Sequence, residues 1–167
     1  GTGILAQNNT GGTNVYNNSD VNVSGAGTGV NLVNNTGATN TFNTIDIDVT
    51  GTGAGFAASG GGTLAATGTN TVTTTTGTAI NLNGITSTAT TFSEVDTTGA
   101  ANAVIIDNVT GPVTIGSTGA DPPRTICMPA RAASRSAAPR QNGSSTRVKR
   151  SPGCMRTARM SSAPAGT

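Results

Sequence analysis

The chain lacks several residue types on which enzymes and metalloproteins commonly depend. It contains no His and no Trp, and its aromatic residues are three Phe and one Tyr. Histidine is the usual general base near neutral pH and the commonest metal ligand. All nine Lys and Arg residues lie beyond residue 121. The first 121 residues therefore offer no basic side chain that could take a proton from a substrate, which predicts a protein that is not an enzyme.

Cysteine and proline are also nearly missing from the first 121 residues. Both cysteines, Cys127 and Cys154, lie in the C-terminal part, and Pro112 is the only proline before residue 122. A disulfide within the first 121 residues is excluded, so cysteine usage does not indicate a redox compartment. No apolar run is long enough to cross a bilayer, so we expect no transmembrane segment. Because the chain starts at Gly1 without a leader, we expect a fragment of a longer protein.

Charge divides the chain into two parts. The seven Asp and Glu residues lie at or before residue 121 and the nine Lys and Arg residues after it, which together give the net charge of +2. We expect residues 1–120 to fold and residues 121–167 to form a disordered, low-complexity basic tail, since the pair Pro122-Pro123 interrupts strand pairing.

Three explanations of the tail stay open: a disordered arm for nucleic acid or anionic surfaces, an anchor or processing segment, and a frameshifted reading of GC-rich DNA. We favour the third. Because the tail has no aromatic residues among its charges, we expect no nucleic-acid partner.

The first 120 residues are rich in Gly, Thr, Asn and Ala, and they contain too few large apolar residues for a thick core. They do contain a repeat with apolar anchors spaced by 26, 26, 24 and 24 residues. These anchors predict five coils starting near residues 1, 27, 53, 77 and 101, whose equivalent side chains stack in a thin core. The predicted core stack consists of Ile4, Val30, Phe56, Ile80 and Val104, with Leu32, Leu82 and Ile106 two residues after three of them.

Two further sets of residues recur at fixed offsets from the anchors. Four residues after the anchors stand Asn8, Asn34 and Asn108, with glycine in the other two coils, which predicts a row of turns. Twelve residues after the anchors stand Tyr16, Phe42 and Phe92, which predicts an aromatic column. Each coil is expected to contain three short strands separated by Gly, Asn, Thr and Ser turns. The fold class is therefore predicted as all-β, a parallel β-solenoid, with a β-sandwich as the alternative.

The segment from Gly27 to Gly119 resembles the Gly/Thr/Asn-rich parallel β-helix repeats of large bacterial surface and secreted proteins. The resemblance rests on Gly29–Gly37, Gly77–Leu82 and Gly99–Ile106, and the segment covers a little over half of the chain. It implies a right-handed, pectin-lyase-like β-helix that is exported, and often a part of an adhesin or an autotransporter-like passenger. It implies an extracellular or cell-surface location, with further β-helix repeats or surface glycans as partners.

The candidate metal ligands are Asp46, Asp48, Glu94 and Asp96, which lie on equivalent predicted strands. Such an acidic patch could hold calcium, although calcium needs six or more oxygen ligands, so we expect no cofactor. As a catalytic pair of carboxylates, Asp46 and Asp48 would point to the same solvent-facing side of one strand. A solvated strand face is the simpler interpretation, and no catalytic residue is predicted.

The sequence favours a non-catalytic fragment of an extracellular β-helix protein that serves in surface display or adhesion. Two alternatives stay open: a fragment of a carbohydrate-active β-helix enzyme, and an ice-binding solenoid whose threonine array would lie within Thr67–Thr76. Self-association is expected too, because the ends of a stack of open coils present unpaired strands.

Overall fold

The computed structural model describes residues 1–117 and 126–127, which contain strands and turns but no helix. The first coil contains β1 (Ile4–Gln7) and β2 (Thr13–Gly25), and the second contains β3 (Val30–Val33) and β4 (Thr39–Gly51). The third coil contains β5 (Phe56–Ser59), β6 (Thr63–Thr67) and β7 (Thr71–Thr74). The fourth contains β8 (Ile80–Asn83) and β9 (Thr86–Thr97). The fifth coil holds β10 (Val104–Asp107) and β11 (Val113–Ser117), and β12 (Ile126–Cys127) follows.

The strands form two parallel sheets that run the length of the stack. The short strands make one sheet in the order β1-β3-β5-β8-β10-β12. The longer strands make the other in the order β11-β9-β6-β4-β2, and β7 pairs with β4 and β9. Every strand pairing in the described residues is parallel and joins one coil to the next, which confirms a parallel β-solenoid of about five coils. A β-sandwich would have antiparallel sheets, so that alternative is excluded.

The prediction of three short strands is wrong for the first, second and fourth coils, while the third coil does contain three strands. In the first two coils a single strand of 13 residues covers the second and third predicted strands. This strand bends at Asn18 and Thr44, whose φ angles are 46° and 60°. A single left-handed residue redirects the chain while pairing resumes at the next residue, where Ser19 pairs with Ile45. We call this bend the corner, and the residues before and after it the first and second arms.

The apolar anchors lie in one register row, by which we mean equivalent positions of successive coils. Ile4 pairs with Val30, and the row continues through Phe56, Ile80 and Val104. All but Ile4 are 0% exposed. The next inward row, two residues on, is also buried and consists of Ala6, Leu32, Ala58, Leu82 and Ile106. The core is thus a thin stack in which every coil supplies the same few positions.

The predicted column of Tyr16, Phe42 and Phe92 is wrong in part. Tyr16 pairs with Phe42, and their rings stack with centroids 4.7 Å apart. Phe42, however, pairs with an alanine in the third coil, and a threonine follows in the fourth. The turn between β5 and β6 in the third coil is two residues shorter than the turn between β3 and β4 in the second. Residues that lie twelve positions after their anchors therefore no longer fall in the same row. Phe92 instead makes an edge contact with Phe56 at 5.2 Å.

The predicted row of turn asparagines lies at one turn between the two sheets. Asn8, Asn34 and Asn108 have φ angles of 57°, 54° and 50°, and the glycines of the intervening coils have similar left-handed values. A side chain at Gly60 would clash with the amide oxygen of Asn34. The amide of Asn34 thus occupies the space that a side chain at Gly60 would need, whereas a side chain at Gly84 would make only an ordinary contact of 3.8 Å with the amide of Asn108.

Most of the predicted tail lies outside the residues that the structure describes. The expectation that the tail is disordered falls on those same residues. The part that is described corrects the expectation that the repeat stops at Pro122-Pro123. Ile126 and Cys127 pair in parallel with Val104 and Ile105. Ile126 thus extends the row of anchors by one position.

Candidate functional site

The polar side chains of the second arm form two parallel rows on the outside of the solenoid, which we call the acid–threonine rows. Alternation along the strand places them there, since Ile45, Ile47 and Val49 are buried and the residues between them face solvent. The first row contains Asp20, Asp46, Thr71 and Glu94, and the second contains Asn22, Asp48, Thr73 and Asp96.

The structure does not bring the four predicted acids into one cluster. Neighbouring strands are about 4.8 Å apart, so Asp46 and Glu94 lie roughly two strand spacings from each other, with Thr71 between them. Asp20 was not predicted as a member, yet it is the direct neighbour of Asp46. Within residues 1–117 and 126–127, no three His, Cys, Asp or Glu side chains form a group that could hold a metal ion.

Neutral donors hold two of the carboxylates in place. The hydroxyl of Thr71 donates a hydrogen bond to Oδ1 of Asp46. The amide of Asn22 donates a hydrogen bond of 2.7 Å to Oδ1 of Asp20. The first 121 residues contain no Lys or Arg, so hydroxyl and amide groups take the place that basic side chains fill in an ion pair. Each of these two carboxylates keeps an oxygen that the bond does not use, which is suited to accept a bond from a ligand.

A groove of about 360 Å³ follows the corner between the first and second arms. Its lining combines hydroxyl, amide and carboxylate groups from the first three coils, with Ile45 as the apolar member. The lining residues are Asn18, Ser19, Asp20, Thr44, Ile45, Asp46, Thr69 and Thr71. Sequence reasoning missed the groove because the corner is recognisable only once the two long strands are stacked. The one available signal was the pair Asn17-Asn18, since asparagine tolerates left-handed angles.

The first arm presents a different surface, which we call the threonine face. One of its rows consists entirely of threonine, with Thr13, Thr39, Thr63, Thr86 and Thr110 in register. The adjacent outward row is small and uncharged, and contains Val15, Thr41, Ala65 and Ala89. None of these nine residues is buried. The threonine face is therefore an accessible, uncharged surface with a repeat set by the strand spacing.

The predicted threonine array within Thr67–Thr76 does not form one face. Thr71 and Thr73 lie in the acid–threonine rows beside carboxylates. Thr74 is buried and donates a hydrogen bond of 2.7 Å to the carbonyl of Gly77. A run of threonines along one coil turns the corner and faces several directions, whereas a flat array needs one threonine from each coil.

Comparison with protein-family models, with curated proteins and with solved structures finds no match to this chain. In the part of the chain that the structure describes, no helix is long and apolar enough to span a membrane.

Proposed function

We propose that residues 1–117 are a non-catalytic structural and adhesive segment of an extracellular bacterial β-solenoid protein. The observation that carries the proposal is the unbroken register of the five coils, from Ile4 to Val104 along the core. A stack in which each coil contacts only its neighbours grows in length without changing its cross-section. Such a stack holds its outward rows at fixed spacings, which suits a protein that extends from a surface and presents a binding face.

The ligand class that we propose is a surface glycan, bound in the corner groove. Sugar hydroxyls both donate and accept hydrogen bonds, and the groove offers the acceptors Asp20 and Asp46 together with the hydroxyl groups of Thr44 and Thr69. Because three successive coils line the groove, we expect it to fit an extended chain better than a compact molecule.

A glycan array probed with the full 167-residue chain tests this function, with Asp46→Ala as the variant and Asp107→Ala as the matched control. Asp107 is an exposed acid on the short-strand sheet, away from the groove. A hydrogen bond to a charged group contributes about 1.5–3 kcal/mol, so Asp46→Ala is expected to weaken binding roughly tenfold or more. Equal binding by both variants, or no bound glycan at all, would refute the groove as the site. Cleavage of a polysaccharide by the chain would instead favour the enzyme alternative.

A second candidate function, ice binding, is favoured by the threonine face. Thr39 and Thr63 present a hydroxyl and a methyl group at the same position of adjacent coils, about 4.8 Å apart. Branching at Cβ restricts their χ1 angles, which favours a repeated orientation of these groups. A rigid, uncharged and periodic array of this kind can order water at the surface of a crystal.

Thermal hysteresis of the full chain tests the second candidate. Activity is expected for the unaltered chain, with loss in Thr63→Lys, because a charged side chain disrupts the array. Thr73→Lys adds the same charge to the acid–threonine rows and is expected to keep the activity. Absence of hysteresis in the unaltered chain would remove ice binding.

A further inference from the structure

The corner groove carries negative charge that the side chains around it leave uncompensated. Asp46 lies inside the stack, with Asp20 before it and Thr71 after it in the same row. Asp48 lies on the same outward side, two residues further along the strand. None of these neighbours is basic, and the first 121 residues contain no Lys or Arg. The hydroxyl of Thr71 orients the carboxylate of Asp46, but a neutral donor does not cancel its charge.

Two carboxylates of the groove stand directly beside each other. Asp20 and Asp46 are register partners on adjacent strands, which lie about 4.8 Å apart. Like charges at directly opposite positions of neighbouring strands destabilise the pair. Both side chains are exposed, so salt screens their repulsion without removing it. A positive group bound between them is attracted to both and offsets the repulsion, whereas a negative group is repelled by both.

An ammonium group fits this pair better than a metal ion does. Calcium takes six or more oxygen ligands, and the described part of the chain contains no group of three potential metal-ligating side chains. An ammonium group with three N–H donors needs only three acceptors. Asp20 and Asp46 each keep one carboxylate oxygen for such a bond. The hydroxyl of Thr69 lines the same groove and is a third acceptor.

We propose that the glycan bound in the corner groove is a polysaccharide with free amino groups, such as a polymer of glucosamine. The inference rests on the glycan-binding function proposed above and adds the charge of the ligand. A protonated amino group lies between Asp20 and Asp46, and the sugar hydroxyls bond to Thr44. An acidic polysaccharide brings its carboxylate or sulfate group beside Asp46, and such a like-charge contact rejects it.

The row that contains Asp46 extends this pairing along the stack. After Asp46 the row continues through Thr71 to Glu94, one strand spacing per coil. An extended β-1,4-linked sugar chain advances by about one such spacing per sugar, and sugars two apart in it face the same side. A chain that lies along the row with one amino group at Asp46 therefore brings a second amino group to Glu94. We expect affinity for the amino polymer to rise when the oligomer is long enough to reach both acids.

Calorimetric titration of the full 167-residue chain with three oligomers of equal length tests the proposal. The oligomers consist of glucosamine, N-acetylglucosamine and galacturonate, which differ in charge. An exposed ion pair contributes enough to predict roughly fivefold tighter binding of the glucosamine oligomer than of its acetylated counterpart. The galacturonate oligomer is expected to bind most weakly. Added salt is expected to reduce the preference for glucosamine, because it screens exposed charges.

Two matched variants assign the preference to the groove. Asp46→Asn keeps the size of the side chain and one acceptor oxygen but removes the charge, so the ratio of the two affinities is expected to fall toward one. Asp107→Asn removes the same charge from an exposed acid on the short-strand sheet and is expected to keep the ratio.

The outcomes separate this inference from the function on which it rests. Equal binding of the glucosamine and N-acetylglucosamine oligomers by the unaltered chain would overturn the selection by charge and leave glycan binding intact. An equal loss of preference in Asp46→Asn and Asp107→Asn would overturn it too, since it would show a general attraction to an acidic protein. Binding of no glycan at all would remove both proposals.

Discussion

Asn70 joins three coils through one buried amide, and replacing it with alanine is the sharpest test of how the stack is held together. The residue is 0% exposed and lies just after the corner of the third coil. Its Oδ1 accepts a hydrogen bond of 3.1 Å from the N–H of Ile45 in the second coil. Its Nδ2 donates to the carbonyls of Thr67 in its own coil and Thr91 in the fourth, at 3.0 and 2.9 Å.

The expected loss of stability follows from the groups that Asn70→Ala leaves without a partner. A buried polar group that loses its hydrogen bond costs about 1–3 kcal/mol. The N–H of Ile45 belongs to a residue that is 1% exposed, so water cannot easily replace the amide there. The carbonyls of Thr67 and Thr91 belong to residues that are not buried, and water can partly compensate for their loss. Together these contributions predict a decrease of about 3 kcal/mol in the free energy of unfolding.

Equilibrium unfolding of the full chain in urea, followed by circular dichroism, measures this decrease. Asn17→Ala is the matched control, because Asn17 is exposed, and it is expected to change stability by less than about 0.5 kcal/mol. Asn70→Asp keeps an acceptor for Ile45 but loses both donors and buries a charge, so it is expected to destabilise at least as much as alanine. A loss below about 1 kcal/mol for Asn70→Ala would refute the argument.

Two further substitutions test the packing of successive coils in the same assay. Gly53→Ala places a methyl group against the carbonyl oxygen of Gly27, and we expect a loss of about 2 kcal/mol or more because backbone must move. Gly11→Ala is its control, since nothing lies within 4 Å of the added group, and an equal effect of the two would contradict the clash. Phe56→Ala removes a ring that contacts two other phenylalanine rings at 5.1 and 5.2 Å, and we expect about 3–5 kcal/mol. Tyr16→Ala at the open end should cost clearly less, and the reverse order would show that the core is not centred on Phe56.

The inward rows could be predicted from the sequence because two independent periods agree on them. Alternation along the strand marks Val30 and Leu32 as facing one side, and the spacing of about two dozen residues repeats that pair in the other coils. A buried position tolerates few residue types, so its pattern survives in the sequence. The solvent-facing rows have no such restriction, and Asp46 and Thr71 occupy one row although nothing in their types relates them.

The features that could not be predicted depend on how one coil meets the next. Thr44 adopts a left-handed angle that a β-branched residue rarely takes, and pairing of the flanking residues maintains it. The position of Phe92 depends on turn lengths that differ between coils, together with a register shift between Leu64 and Ala65. The bonds of Asn70 span residues up to 25 apart, and its side chain resembles any turn asparagine until the coils are stacked.

The physical demands on the two sides of each strand explain how one thin core supports two unlike surfaces. The core fixes only the inward residues, since a missing or oversized side chain there leaves a void or a clash in the stack. The outward rows must only allow the strands to pair, so their chemistry can differ between the two arms. The corner at Asn18 and Thr44 separates these arms, and it places the uncharged threonine face on one side and the acid–threonine rows on the other. A substitution that abolishes binding at one surface should therefore leave the other intact, provided that the register of the coils is kept.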